Sequence, residues 1–264
     1  MSIRFSAIAA FAGLLALAGS LTLTAPAHAG KITIAAAADL KFAMDEIVAA
    51  FKQDSPGDEI EVVYGSSGKA HTQIQQGAPY DLFFSADIAF PRELIKAGLA
   101  AGGVRPYAVG RIVLWSASMD AAKMTLESLL DPKIAHVAIA NPAHAPYGRR
   151  AEEALRASGL WEKIEPKLVY GENISQTAQF VQTGNAQAGI IALSLAISPA
   201  LAAKGGYWII PDKLHEPLEQ GFVVTKRAAD NPLAARFASY MDSEPARAVM
   251  KKFGFTLPGE DIDR

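Results

Sequence analysis

Tyr64-Gly65-Ser66-Ser67-Gly68-Lys69 is the stretch on which the reading of this chain turns. A β-branched run at 60–63 leads into it, and a helix-like segment at 70–76 leaves it. Two hydroxyls and two glycines therefore sit where a strand hands over to a helix. Such a junction leaves first-turn N–H groups without partners and presents the positive end of the helix dipole, so it forms a ready anion site.

Working outward, the same device recurs. Residues 31–35 read as a strand that runs into the alanines 35–38 and Asp39. Leu40, Ala43, Met44, Ile47, Val48 and Phe51 then share one helical face, with Asp39 where an N-cap belongs. A strand at 133–140 precedes Ala145-Pro146-Tyr147-Gly148 and a helix at 149–157. A strand at 167–170 precedes Glu172-Asn173 and a helix face of Ile174, Thr177, Ala178 and Val181. Further strands are expected at 81–87, 107–115, 188–193 and 219–224, and further helices at 91–97, 125–130, 232–240 and 244–253. Strands alternating with helices argue for an α/β sandwich with largely parallel sheets. Two such series, 30–108 and 109–220, suggest two lobes with a cleft between them. Ligands in such folds bind at the carboxyl ends of strands. Four junctions, 37–39, 66–68, 145–148 and 172–174, are then the candidate walls, two from each half. No Lys or Arg lies within 37–39 or 173–174, while Lys69 and Arg149 lie just inside their helices. A site of this kind suits a fully deprotonated tetrahedral dianion, held by neutral donors and helix ends.

Composition narrows the classes. The chain has 264 residues, 50% hydrophobic and 20% charged, which is globular and long enough for two lobes. A net charge of −2 without a basic block argues against nucleic acid. Cysteine is absent, which removes disulfides, Cys-ligated zinc and a thiol nucleophile. The first 29 residues carry Arg4, an apolar run at 7–23 and the small-x-small triplet Ala27-His28-Ala29. They read as a secretory signal cleaved before Gly30, giving a protein outside the cytoplasm that does not span the membrane. Enzyme motifs are missing. Gly65-Ser66-Ser67-Gly68 is not GxSxG, and Val63 and Ala70 break the P-loop pattern around Gly68-Lys69. His71, His136, His144 and His215 have no metal-ligand spacing.

The pieces 32–38, 64–67, 77–87, 141–146 and 252–256 together resemble the periplasmic molybdate-binding protein of ABC importers. The likeness spans essentially the whole chain after the leader, and 77–87 is its most distinctive part. It implies a type II periplasmic-binding-protein fold, with lobe one at 30–108 plus 221–264 and lobe two at 109–220. It also implies strands crossing between lobes near 107–112 and 221–224 as hinges, molybdate or tungstate as ligand, no cofactor, a monomer, and a membrane permease as partner. Carried over residue by residue, the family's ligand contacts fall on Ser67 through its hydroxyl and on Tyr147 and Ile174 through backbone donors. They also fall on Asp39 and Ala192, where many members have a serine and a tyrosine.

Asp39 is the departure with most at stake. A carboxylate about 4 Å from an anion is repelled by about 4 kcal/mol per unit of ligand charge at an effective dielectric near 20. Three roles are open to it: capping its own helix and leaving only its N–H for the ligand, holding a proton and donating it, or accepting a bond from a protonated ligand such as phosphate. The last role defines an alternative substrate. Tyr147 could supply the missing hydroxyl or simply cover the rim. An exported hydrolase acting on an anionic ester, with Ser67 or Asp39 as nucleophile, is the reading from a different class.

Overall fold

The computed structural model describes residues 30–260, so the leader read at 1–29 lies outside the described residues. In chain order the strands are β1 (Lys31–Ala37), β2 (Glu59–Gly65), β3 (Leu82–Ser85), β4 (Ala100–Gly110), β5 (Ile112–Ser116), β6 (Val137–Ala140), β7 (Leu168–Gly171), β8 (Ala188–Ala192), β9 (Gly206–Ile209) and β10 (Leu218–Thr225). They form two five-stranded sheets, ordered β2-β1-β3-β10-β4 and β7-β6-β8-β5-β9. This is a two-lobed α/β fold, with helices packed on each sheet.

Within each sheet, the strands that feed the junctions are parallel. β1 pairs with β2 from Lys31 opposite Glu59 to Ala37 opposite Gly65, and β3 runs parallel to β1. In the second sheet β7, β6 and β8 are parallel. The remaining pairings are antiparallel: β10 with β3 and β4, and β5 with β8 and β9. The sheets are thus mixed, not largely parallel as the alternation suggested. The reversed strands lie where the chain passes between lobes.

That passage also divides the long strand expected at 107–115. β4 ends at Gly110, opposite Leu218 in the first sheet, and β5 begins at Ile112, opposite Ala192 in the second. Only Arg111 separates them. A run of β-forming residues carries no sign of such a change of partner. The strand portion at 100–104 was hidden by Gly102-Gly103; Gly102 adopts φ 68°, and β4 pairs irregularly with β10. Segment 126–130 is a short 3-10 helix, closed by a reciprocal Thr125–Ser128 capping box.

Central strands β3, β5, β6 and β8 are buried throughout. Their sequences are accordingly almost continuously apolar, because both faces are covered. The first core centres on Phe84, which stacks on Phe222 at 4.5 Å between centroids and meets Phe237 edge-on. The second is built around fully buried Trp115 with Ile139, Ile190 and Leu155. Phe84 is completely buried, so Phe84→Ala should lower stability by about 3–5 kcal/mol in a urea titration.

Candidate functional site

The parallel strands of both sheets end at the seam between the lobes, and the four junctions meet there. They enclose a small cavity walled by Ala38, Asp39, Ser66, Ser67, Tyr147 and Ile174, together with Ala86 after β3. The space open to the centre of a water-sized sphere is about 10 Å³. That is about the space one water molecule needs. No lysine, arginine or histidine lies in its wall.

Ser67 is the first residue of helix Ser67–Gln75 and is 1% exposed. Its hydroxyl accepts a bond from the Ala86 N–H at 3.0 Å, which leaves its own proton free to donate. Tyr147 is the second residue of helix Pro146–Ala157, and Ile174 the first of helix Ile174–Gln182. Neither N–H can find a carbonyl four residues back within its helix. The Asn173 side chain satisfies the N–H of Gln176 further along and leaves the first turn to other partners.

Asp39 does not cap its helix. It lies in a 3-10 turn, Ala38–Leu40, with no side-chain cap bond. The carboxylate instead turns into the seam. Its Oδ2 accepts from the Tyr147 hydroxyl at 2.9 Å and from Gln220 Nε2 at 2.9 Å. Its Oδ1 is buried without a partner. Burial raises the carboxyl to a pKa of about 6, against the lowering effect of the bonds from Gln220 and Tyr147. The capping role fails because the helix N-terminus proper begins at Lys41, two residues further on. Burial, reinforced by the negative charge of Asp39, pushes the hydroxyls of Tyr147 and Tyr107 well above the usual phenolic range, so both stay neutral donors.

Tyr147 therefore uses its hydroxyl proton on Asp39, and its backbone is what remains for a guest. Ala192 is fully buried at the end of β8, and the residues lining the cavity do not include it. Two residues on, Ser194 donates to the Asp39 carbonyl at 2.8 Å, and Ser175 donates to the Ala38 carbonyl at 2.8 Å. Sequence reasoning also missed Gln220 and Tyr107, whose hydroxyl donates to Gln220 Oε1 at 2.7 Å. A glutamine inside a strand buried on both sides was the available signal.

Around the rim, further contacts join the lobes. The Gly68 N–H donates to the His144 carbonyl at 2.9 Å, and Ser66 Oγ lies 3.0 Å from His144 Nδ1. Lys69 pairs with Glu172, and Arg149 with Asp87. The cations flanking the junctions thus face opposing carboxylates outside the cavity.

The sequence matches the family of bacterial extracellular solute-binding proteins over residues 32–256, and the chain belongs to that family. Among curated proteins, it is 38% identical over 246 residues to the molybdate-binding protein ModA of Rhodobacter capsulatus, covering 92% of this chain and 95% of the relative. It is 37% identical to ModA of Azotobacter vinelandii over 240 residues, covering 90% and 95%. The solved periplasmic molybdate-binding protein of Azotobacter vinelandii superposes with a TM-score of 0.81 at 32% identity, covering 86% of this chain and 99% of that one.

Gly68 gives a direct test of the closed seam. A Cβ there would lie 2.6 Å from the His144 carbonyl oxygen, which is backbone of the opposite lobe. Its helix alone tolerates alanine. Gly68→Ala should leave the thermal midpoint unchanged, yet give a larger radius of gyration than wild type in small-angle scattering under conditions that close the cleft.

Proposed function

We propose that this chain captures molybdate or tungstate outside the cytoplasm and delivers it to the membrane permease of an ABC importer. The carrying observation is the convergence of four strand-to-helix junctions, two from each lobe, on one small cavity with no cationic side chain in its wall. The names of the relatives support the same ligand. Export is supported by the family, and among the described residues no helix is long and apolar enough to cross a membrane.

In this reading the Ser67 hydroxyl and the N–H groups of Asp39, Tyr147 and Ile174 hold the dianion. Neutral donors at helix N-termini stabilise negative charge without fixing a counter-ion in the cavity. Ala192 contributes no donor, and its place in the ligand set is filled by backbone groups. The lobes close because the ligand binds both walls at once, so its affinity for the closed state exceeds that for the open one. The division into lobes at 30–108 plus 221–264 and 109–220 follows the sheets to within three residues, since β4 reaches Gly110 and β10 starts at Leu218. The crossings β4–β5 and β10 are the proposed hinges.

One observation favours the hydrolase reading: Ser66 Oγ sits 3.0 Å from His144 Nδ1. The array goes no further, because His144 Nε2 is 3.8 Å from Glu172, beyond hydrogen-bond range. It also spans the seam, so it exists only when the lobes are closed. Binding without turnover is the better account.

Titration calorimetry of the mature protein against molybdate, tungstate, sulfate and phosphate tests this. Micromolar or tighter binding of molybdate and tungstate is expected, and tight phosphate binding without molybdate heat would overturn it. Ser67→Ala should weaken molybdate about tenfold, equivalent to about 1.4 kcal/mol for one hydrogen bond. Ester turnover abolished by Ser66→Ala would reverse the choice of class.

A further inference from the structure

The two oxygens of the Asp39 carboxyl are not equivalent. Oδ2 is occupied by two donors, the Tyr147 hydroxyl and Gln220 Nε2. The Gln220 amide offers its nitrogen in this arrangement, since its Oε1 receives the Tyr107 hydroxyl at 2.7 Å, a hydroxyl that also lies 3.2 Å from the Ser85 carbonyl. Oδ2 is thus the acceptor in this arrangement. Oδ1 is buried, has no partner, and belongs to a residue in the cavity wall. A proton on this carboxyl belongs on Oδ1, which no side-chain donor occupies, with the backbone N–H groups of Asp39 and Leu40 the nearest competing donors.

We propose that Asp39 enters the ligand-bound state as the neutral acid and donates a hydrogen bond from Oδ1 to an oxygen of the bound dianion, so that capture of each ligand is coupled to uptake of one proton. The inference rests on the proposed reading of the cavity as a site for a molybdate-type dianion. No covalent bond to the ligand forms or breaks. The proton comes from solvent, adds to the carboxylate, and stays on Asp39 while bridging to the ligand. A bare carboxylate would instead set a third negative charge against the two that the ligand brings. The acid thereby serves where the family resemblance places a serine hydroxyl, and it selects against a ligand that arrives with a proton of its own, which Oδ1 could not accept.

The surroundings leave Asp39 as the group that responds. Burial already favours its neutral form in the closed seam, and a dianion beside it strengthens the preference. Helices Ile174–Gln182 and Leu193–Ala196, which pack on the Ala38–Leu40 turn, contain no ionisable residue. Helix Lys41–Asp54 turns Lys41 and Asp45 to an outer pair with Tyr64, the β2 tyrosine. The other ionisable residues of β2, Glu59 and Glu61, are exposed on the sheet edge. From helix Pro146–Ala157 comes Tyr147, with Arg149 and Arg150 held by Asp87 and Glu153. β10 adds exposed Glu219, and β4 adds Tyr107 and Arg105, the latter paired with Asp242. His144 stands on the rim, so the test has to separate it from Asp39.

The sign follows from the bound state holding the proton more tightly. Affinity is full below the Asp39 pKa of the free protein. It falls by up to tenfold per pH unit above that value, until the pKa of the complex is passed. Asp39→Asn separates the possibilities, because an asparagine can accept both bonds on its oxygen and donate from its amide without titrating.

The experiment is calorimetry of the mature protein with molybdate from about pH 6 to about pH 8, in paired buffers of different ionisation enthalpy. Wild type should take up about one proton per molybdate in the upper part of that window, with affinity falling as pH rises. Asp39→Asn, checked for an unchanged thermal midpoint, should still bind and lose that proton uptake. Molybdate heat with no proton uptake and a flat pH profile in wild type overturns the proposal and leaves the binding reading standing. Proton uptake unchanged in Asp39→Asn also overturns it, by assigning the proton elsewhere. Absence of molybdate heat at every pH overturns the binding reading, and the proposal with it.

Discussion

The pair of hydrogen bonds received by Asp39 Oδ2 holds the site together. One donor, Tyr147, comes from the second lobe, and the other, Gln220, from the strand that returns the chain to the first. A buried carboxyl stripped of such partners costs several kcal/mol, so the closed seam is stable only with both donors in place. The same short turn, Ala38–Leu40, also receives Ser175 and Ser194 through its carbonyls. Three helices of the second lobe therefore grip one turn of the first. Closure is specified at the cavity and not merely around it.

The rim works differently. Lys69–Glu172 and Arg149–Asp87 are partly exposed, with side chains between 16% and 53% accessible. Such pairs contribute on the order of 0–1 kcal/mol and are screened by salt. Their main effect is on position: they draw the cations beside two of the junctions outward, away from the cavity. The wall is left with hydroxyls, amide N–H groups and one acid. The cations are thus kept apart from the directed donors of the cavity wall.

The strand-to-helix alternation and the four junctions were legible in the sequence because both follow from local chemistry: apolar runs for buried strands, small and hydroxyl residues where helices begin. Ser67, Tyr147 and Ile174 fall at the cavity for that reason. What was not legible depends on distant parts of the chain. The change of sheet at Arg111 leaves the apolar pattern unbroken. The direction of the Asp39 side chain is set by residues more than a hundred positions away, so local reasoning favoured a helix cap that the structure does not form. Ala192 was placed by correspondence with a family position, and a methyl group leaves nothing to anchor that correspondence to the cavity.

Gly110 shows how tightly the crossing and the site depend on each other. It does not occupy the left-handed region, so conformational freedom is not what the position uses. A Cβ there would collide with both the Tyr147 hydroxyl and Gln220 Nε2, the two donors to Asp39. The glycine thus makes room for the network at the last residue of β4, next to the single residue that separates the two sheets. In the proposed movement of the lobes about this crossing, Tyr147 shifts relative to Gln220 and Asp39, since one donor belongs to each lobe. Opening the cleft therefore removes a donor from the carboxylate at the same time as it admits water. In the proposed opening and closing, the charged form of Asp39 is solvated in the open cleft and disfavoured in the closed one, so the state of this one carboxyl depends on the crossing as much as on the ligand site.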